Sequence, residues 1–150
     1  MIDRYRKEFR IALIALALPN LALGAWAVLA PHSWYDDFPG GGRHWVSALG
    51  PYNEHLSTDV GAFFLAMGAL LLFAGVVLDR LLIQAALGAL LIFSVPHLIW
   101  HLGELGPYGT LDTVLNVISL SLLVVVPIVL LLILRQTKGQ SKGEVTYGTR

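Results

Sequence analysis

The chain contains no cysteine, which rules out disulfide bonds and thiolate metal ligands together. Charge is almost as scarce. Only 13% of the residues are charged, against about a quarter in a soluble domain, while 56% are hydrophobic and the mean hydropathy is +0.70. A soluble four-helix core needs polar outer faces, and the apolar stretches here have almost none. Nothing in this composition points to a nucleic-acid partner.

The residues that are present form four long apolar runs, at about 11–30, 58–78, 81–101 and 111–134. A helix needs roughly 20 mostly apolar residues to cross about 30 Å of hydrocarbon. The expected fold is therefore all-α: a four-helix transmembrane bundle over 1–135, with a polar tail over 136–150 that lacks apolar periodicity and is expected to be unstructured. The first run follows a basic start, as a secretory signal does. It is longer than the usual apolar region of roughly 7–15 residues, and Pro31 disfavours cleavage after Ala30, so it is read as a retained span.

The charges are placed unevenly. Nine of the ten Lys and Arg residues flank the ends of the spans on one side, and only Arg43 falls on the other. The positive-inside rule puts both termini in the cytoplasm of a cell (plasma) membrane protein. The segment from His32 to Ser57 then becomes a long outer loop between the first and second spans. Its Pro39-Gly40-Gly41-Gly42 run predicts turns, and Arg43 to Leu49 is expected to form a short interfacial helix. All four tryptophans (Trp26, Trp34, Trp45 and Trp100) fall near this outer face and are expected to anchor it.

Asp79-Arg80 is the only break between the second and third spans, which predicts a tight antiparallel hairpin. Gly61, Gly68 and Gly75 recur every seven residues and predict a narrow face for close helix approach.

Ionisable groups at membrane depth are costly without a partner or a purpose. All five histidines lie on the outer side of this topology. His97, His101 and Glu104 are spaced i, i+4, i+7 and share one helical face, after Pro96. His55 and Asp59 are i and i+4 on the second span. In the hairpin, facing residues have numbers summing to roughly 159, which puts His55 level with Glu104 and Asp59 level with His101. Asp112, Asn116 and Ser119 add another stripe on the fourth span, whereas the inner half offers only Asn20, Gln84 and Ser94.

His55, Asp59, His97, His101 and Glu104 suit a divalent metal, with zinc, copper or iron favoured by imidazole. Glu54 and Asp112 are the candidates for proton transfer if the site is catalytic. Haem is the weaker cofactor reading, because the outer position is shallow and the second helix is crowded with phenylalanine. Against these stand plainer readings. Asp112 is expected to cap the fourth helix, and the histidines can serve as hydrogen-bonded bundle residues. The competing class is a non-catalytic membrane subunit, or a binder of a small-molecule or lipid-like ligand. The expected partners are the bilayer, such a ligand, and a second copy or another membrane subunit.

The motifs W-Y-D-D-F-P-G-G-G-R-H-W, P-Y-N-E-H-L-x-x-D-V-G and V-P-H-L-x-W-H-L carry a resemblance. Across residues 30 to 104 the chain resembles a group of uncharacterised four-span membrane proteins of actinobacterial type. In span number and length it is loosely similar to the DoxX-like proteins. The resemblance implies the four-span layout and supplies no activity for these residues.

Overall fold

The computed structural model describes residues 5–146, with side chains described for 5–136. Five helices follow one another: α1 (Arg6–Leu29), α2 (Pro31–Asp37), α3 (Glu54–Val77), α4 (Arg80–Gly103) and α5 (Thr110–Thr146). A two-stranded antiparallel hairpin, β1 (Pro39–Gly40) with β2 (Arg43–His44), and a 3-10 turn over Ser47–Leu49 lie between α2 and α3. The protein is an all-α bundle. Four of its helices, α1, α3, α4 and α5 as far as Gln136, are long and apolar enough to cross a membrane, which makes it a multi-pass membrane protein. At 1.5 Å per residue, a 24-residue helix such as α3 reaches about 36 Å, enough for the hydrocarbon and part of the headgroup layer. The tail expected over 136–150 falls mostly outside the residues whose side chains are described.

Local chemistry explains where these helices start and stop. The Asn53 side chain accepts from Leu56 N at 3.0 Å and opens α3, and Asp79 accepts from Leu82 N at 2.9 Å and opens α4. Between α3 and α4 the chain reverses through Leu78, which holds a left-handed φ of 57° while its side chain is buried. The hairpin expected at Asp79-Arg80 therefore forms.

Helix α1 packs most closely on α3. A methyl added at Gly61 would lie 2.8 Å from Ala27 Cβ, and one at Gly24 would lie 2.6 Å from Leu65 N. The stripe of Gly61, Gly68 and Gly75 thus faces α1, as its spacing predicts, and Gly24 answers it from α1.

The bundle is unequal along its length. Its apolar core draws on Phe9, Leu13 and Ala17 of α1 and Leu71 and Ala74 of α3. Ile83, Leu87 and Leu90 of α4 and Leu134 of α5 complete it. Every one of these lies in the half nearer the chain termini. The other half carries the buried polar residues Ser57, Ser94 and Asn116 and is covered by α2 and the β-hairpin.

This cap departs from the expected loop with its interfacial helix. The helix forms earlier, at Pro31–Asp37, because Pro31 can occupy a first helical turn without a missing hydrogen bond. Gly40, Gly41 and Gly42 all take positive φ and form the turn that their run predicts, and the second strand takes Arg43 and His44 from the segment expected to be helical, of which Ser47–Leu49 forms a 3-10 turn.

Candidate functional site

The cap is tied to the bundle through Asp112. Its Oδ1 accepts from Arg43 Nε at 2.8 Å and from Trp45 Nε1 at 3.0 Å. Asp112 lies in the first turn of α5, where a helix-capping role was expected, but its carboxylate is engaged by the cap instead. Tyr108, in the α4–α5 loop, donates to Trp45 O at 2.7 Å. Burial, and after it the Asp112 carboxylate, pushes the Tyr108 phenol up to about 12. Two of the four expected anchors, Trp34 and Trp45, are buried inside the cap rather than spread along an interface. Trp34 and Trp45 both pack against Phe38, at ring distances of 6.1 and 6.0 Å. Trp100, half-exposed at the end of α4, keeps the placement expected of an anchor.

The sequence-predicted metal residues separate into two pairs and one isolated carboxylate. His55 Nε2 lies 3.2 Å from Asp59 Oδ2, with both side chains well exposed (88% and 62%). On α4 the His97 and His101 rings meet edge to face with centroids 4.6 Å apart. Glu104 ends α4 as an exposed residue, and Glu54 is exposed in the first turn of α3. Phe93 contacts both Phe63 and Phe64. That register puts His55 level with His101 rather than Glu104, and Asp59 level with His97. Yet no hydrogen bond or ion pair joins the two pairs. Among the described residues, no three His, Asp or Glu side chains form a group able to hold one metal ion.

Sequence reasoning gave Asn116 only a place in a stripe, and the packing of α4 against α5 gives it more. Pro127 has no N–H, so the carbonyl four residues earlier, Leu123 O, loses its helical donor. Ser94 Oγ donates to that oxygen at 3.2 Å across the interface. Seven residues toward the cap from each partner stand His101 on α4 and Asn116 on α5. Seven residues are nearly two helical turns, so both side chains stay on the interface that Ser94 and Leu123 define.

Both carry buried polar atoms without partners, His101 Nδ1 and Asn116 Oδ1, and Asn116 is only 3% exposed. Leaving a buried polar group unpaired costs about 1–3 kcal/mol. A third such atom, Trp34 Nε1, lies in the cap. In contrast, Asn20 in the middle of α1 satisfies itself, its Nδ2 donating to Leu16 O at 2.8 Å.

No protein-family model, curated protein or solved structure matches the chain. The functional reading therefore stands on these residues alone.

Proposed function

We propose that this membrane protein binds a small molecule with a polar group in the α4/α5 interface beneath the cap, on the non-cytoplasmic side of a plasma membrane. The observation that carries the reading is two unpartnered buried atoms, His101 Nδ1 and Asn116 Oδ1, which helical spacing from Ser94 and Leu123 assigns to one interface in the half of the bundle without an apolar core. A ligand with one donor and one acceptor satisfies both. The charge distribution supports the orientation, with both termini cytoplasmic.

Native mass spectrometry of the protein extracted in mild detergent tests this. A bound small molecule should accompany the wild type and be lost from Asn116→Leu, while the variant itself melts at the same or a higher temperature. Equal retention by both proteins, or no adduct in either, rules the reading out.

A second reading has its own observation. His97 and His101, spaced i, i+4 with adjacent rings, can supply two imidazoles to a divalent zinc, copper or iron ion whose other ligands come from solvent or substrate. Elemental analysis discriminates: near-stoichiometric metal that disappears in a His97→Ala, His101→Ala double variant supports the metal.

A further inference from the structure

The aromatic contacts along α4 form a continuous row. Phe63 of α3 lies 4.6 Å from Phe93, Phe93 stacks on His97 at 4.9 Å and 22°, and His97 meets His101 at 4.6 Å. Trp100 flanks His101 at 5.0 Å. Phe93, His97 and His101 are i, i+4 and i+8. Such a row advances about 40° around the helix at each step, because four residues exceed one turn of 3.6. The row therefore starts on the side of α4 that meets Phe63 and Phe64 of α3. It ends at the α5 interface, where Ser94, seven residues before His101, already points.

Its lower end is open to the surroundings. Phe63 is 38% exposed there, and Ile92, next to Phe93 in the chain, is 78% exposed. In a membrane that surface meets lipid. Its upper end is polar: His101 Nδ1 is buried without a partner, as is Asn116 Oδ1 on the adjoining α5. Among the described residues no ion pair engages His97, His101 or Asn116, so nothing there offsets a charged head.

Resting on the preceding reading of the α4/α5 site, we infer that Phe93, His97 and His101 form a track by which an uncharged amphiphile with a flat ring enters from the bilayer between α3 and α4. The ring stacks along the row, since aromatic pairs favour offset or edge contacts at 4.5–7 Å between centroids. A hydroxyl on the ring edge fits the far end. It donates to Asn116 Oδ1, and its oxygen accepts from His101 Nδ1 when that nitrogen carries the proton. The ligand class is thus a neutral hydroxylated aromatic that partitions into lipid. An ion lacks the face for the track, a free sugar does not partition into lipid, and an aliphatic alcohol has the hydroxyl without the flat ring.

Three probes separate these properties: 2-naphthol, trans-2-decalol (a hydroxyl without a flat ring) and 2-naphthol-6-sulfonate (a flat ring kept in water by its charge). Thermal unfolding of the full-length protein in phosphatidylcholine nanodiscs is followed as each is added. A ligand that binds only the folded state raises the midpoint in a saturable way. The expected result is a saturable rise with 2-naphthol alone. Its half-saturation should move at least fivefold higher in Phe93→Leu, and the rise should vanish in Asn116→Leu. Phe73→Leu, a lipid-facing change away from the row, should leave it unchanged.

An equal rise with trans-2-decalol overturns recognition of the ring, and an equal rise with the sulfonate overturns entry from lipid. In both cases the native-mass-spectrometry adduct still reports on the binding site itself, so the two proposals fail separately. A naphthol rise unaffected by either Phe93→Leu or Asn116→Leu, or no saturable rise at all, overturns the track.

Discussion

Ser94 completes, from another helix, a hydrogen bond that α5 cannot make for itself: its hydroxyl donates to Leu123 O, the carbonyl orphaned by Pro127. In Ser94→Ala that oxygen has no partner in a low-dielectric interface, and stability should fall by about 1–2 kcal/mol. Pro127→Ala restores an N–H to α5, so the same serine change made in that background should cost much less. A double-mutant cycle on thermal unfolding in detergent measures the coupling. Additive effects would mean that the serine contributes nothing to Leu123.

The contact between α1 and α3 gives a contrasting pair of glycines. An alanine methyl at Gly61 meets Ala27 Cβ at 2.8 Å and the Val28 backbone at 2.9 Å, so the helices must separate. Gly61→Ala should destabilise the bundle by about 1–3 kcal/mol, the usual cost of overpacking. Gly88 has nothing within 4 Å of the same methyl, and Gly88→Ala should be neutral or slightly stabilising through helix propensity. Comparing the two unfolding midpoints checks the prediction.

Asp112 holds the cap by two donors from the same short segment, Arg43 and Trp45. Asp112→Ala removes the acceptor of both, and about 1.5–3 kcal/mol of local stability should go with it. The loss should appear as faster amide hydrogen exchange across 31–50, with little change at α1 and α3 near the termini. Uniformly faster exchange would refute a local tether.

Tyr108 makes a pH prediction with a definite sign. Its phenol titrates near 12 in the folded protein, raised by burial and by Asp112, against about 10 when unfolded. A raised folded value means that its contribution to stability is intact below pH 10 and disappears as pH climbs from 10 to 12. Tyr108→Phe should flatten that part of the stability curve. Ultraviolet titration should show a late-ionising tyrosine in the wild type that is missing from the variant.

Much of the scaffold was legible in the sequence because it follows from length and spacing. Four apolar runs, a two-residue link and a heptad of glycines predict the bundle, the α3–α4 hairpin and the face that α1 meets. The cap was harder to read. Three consecutive glycines take positive φ and make the turn their run predicts, but the strand that follows takes Arg43 and His44 out of the expected helix. Tryptophan placement alone does not distinguish an interfacial indole from one buried by a neighbouring loop.

The candidate site divides in the same way. Helical spacing correctly pairs His55 with Asp59 and His97 with His101, since i, i+4 neighbours share a face whatever the fold. Whether two such pairs converge depends on how far adjacent helices stand apart, which spacing along one helix does not set; among the described residues no group of three such side chains forms. Asn116 was visible as a polar residue in an apolar run. Its orphaned oxygen emerges only once Ser94 and Leu123 define which faces of α4 and α5 meet. Arg43, the lone cation on its side, and Asp112, a lone carboxylate starting a helix, carried a signal of complementarity that spacing arguments do not use.

Beneath the cap α1 and α3 stay in close contact at Gly24 and Gly61. Asp112 joins the start of α5 to Arg43 and Trp45 in the segment that connects those two helices. A single carboxylate thus links the last span of the chain to the linker between its first two.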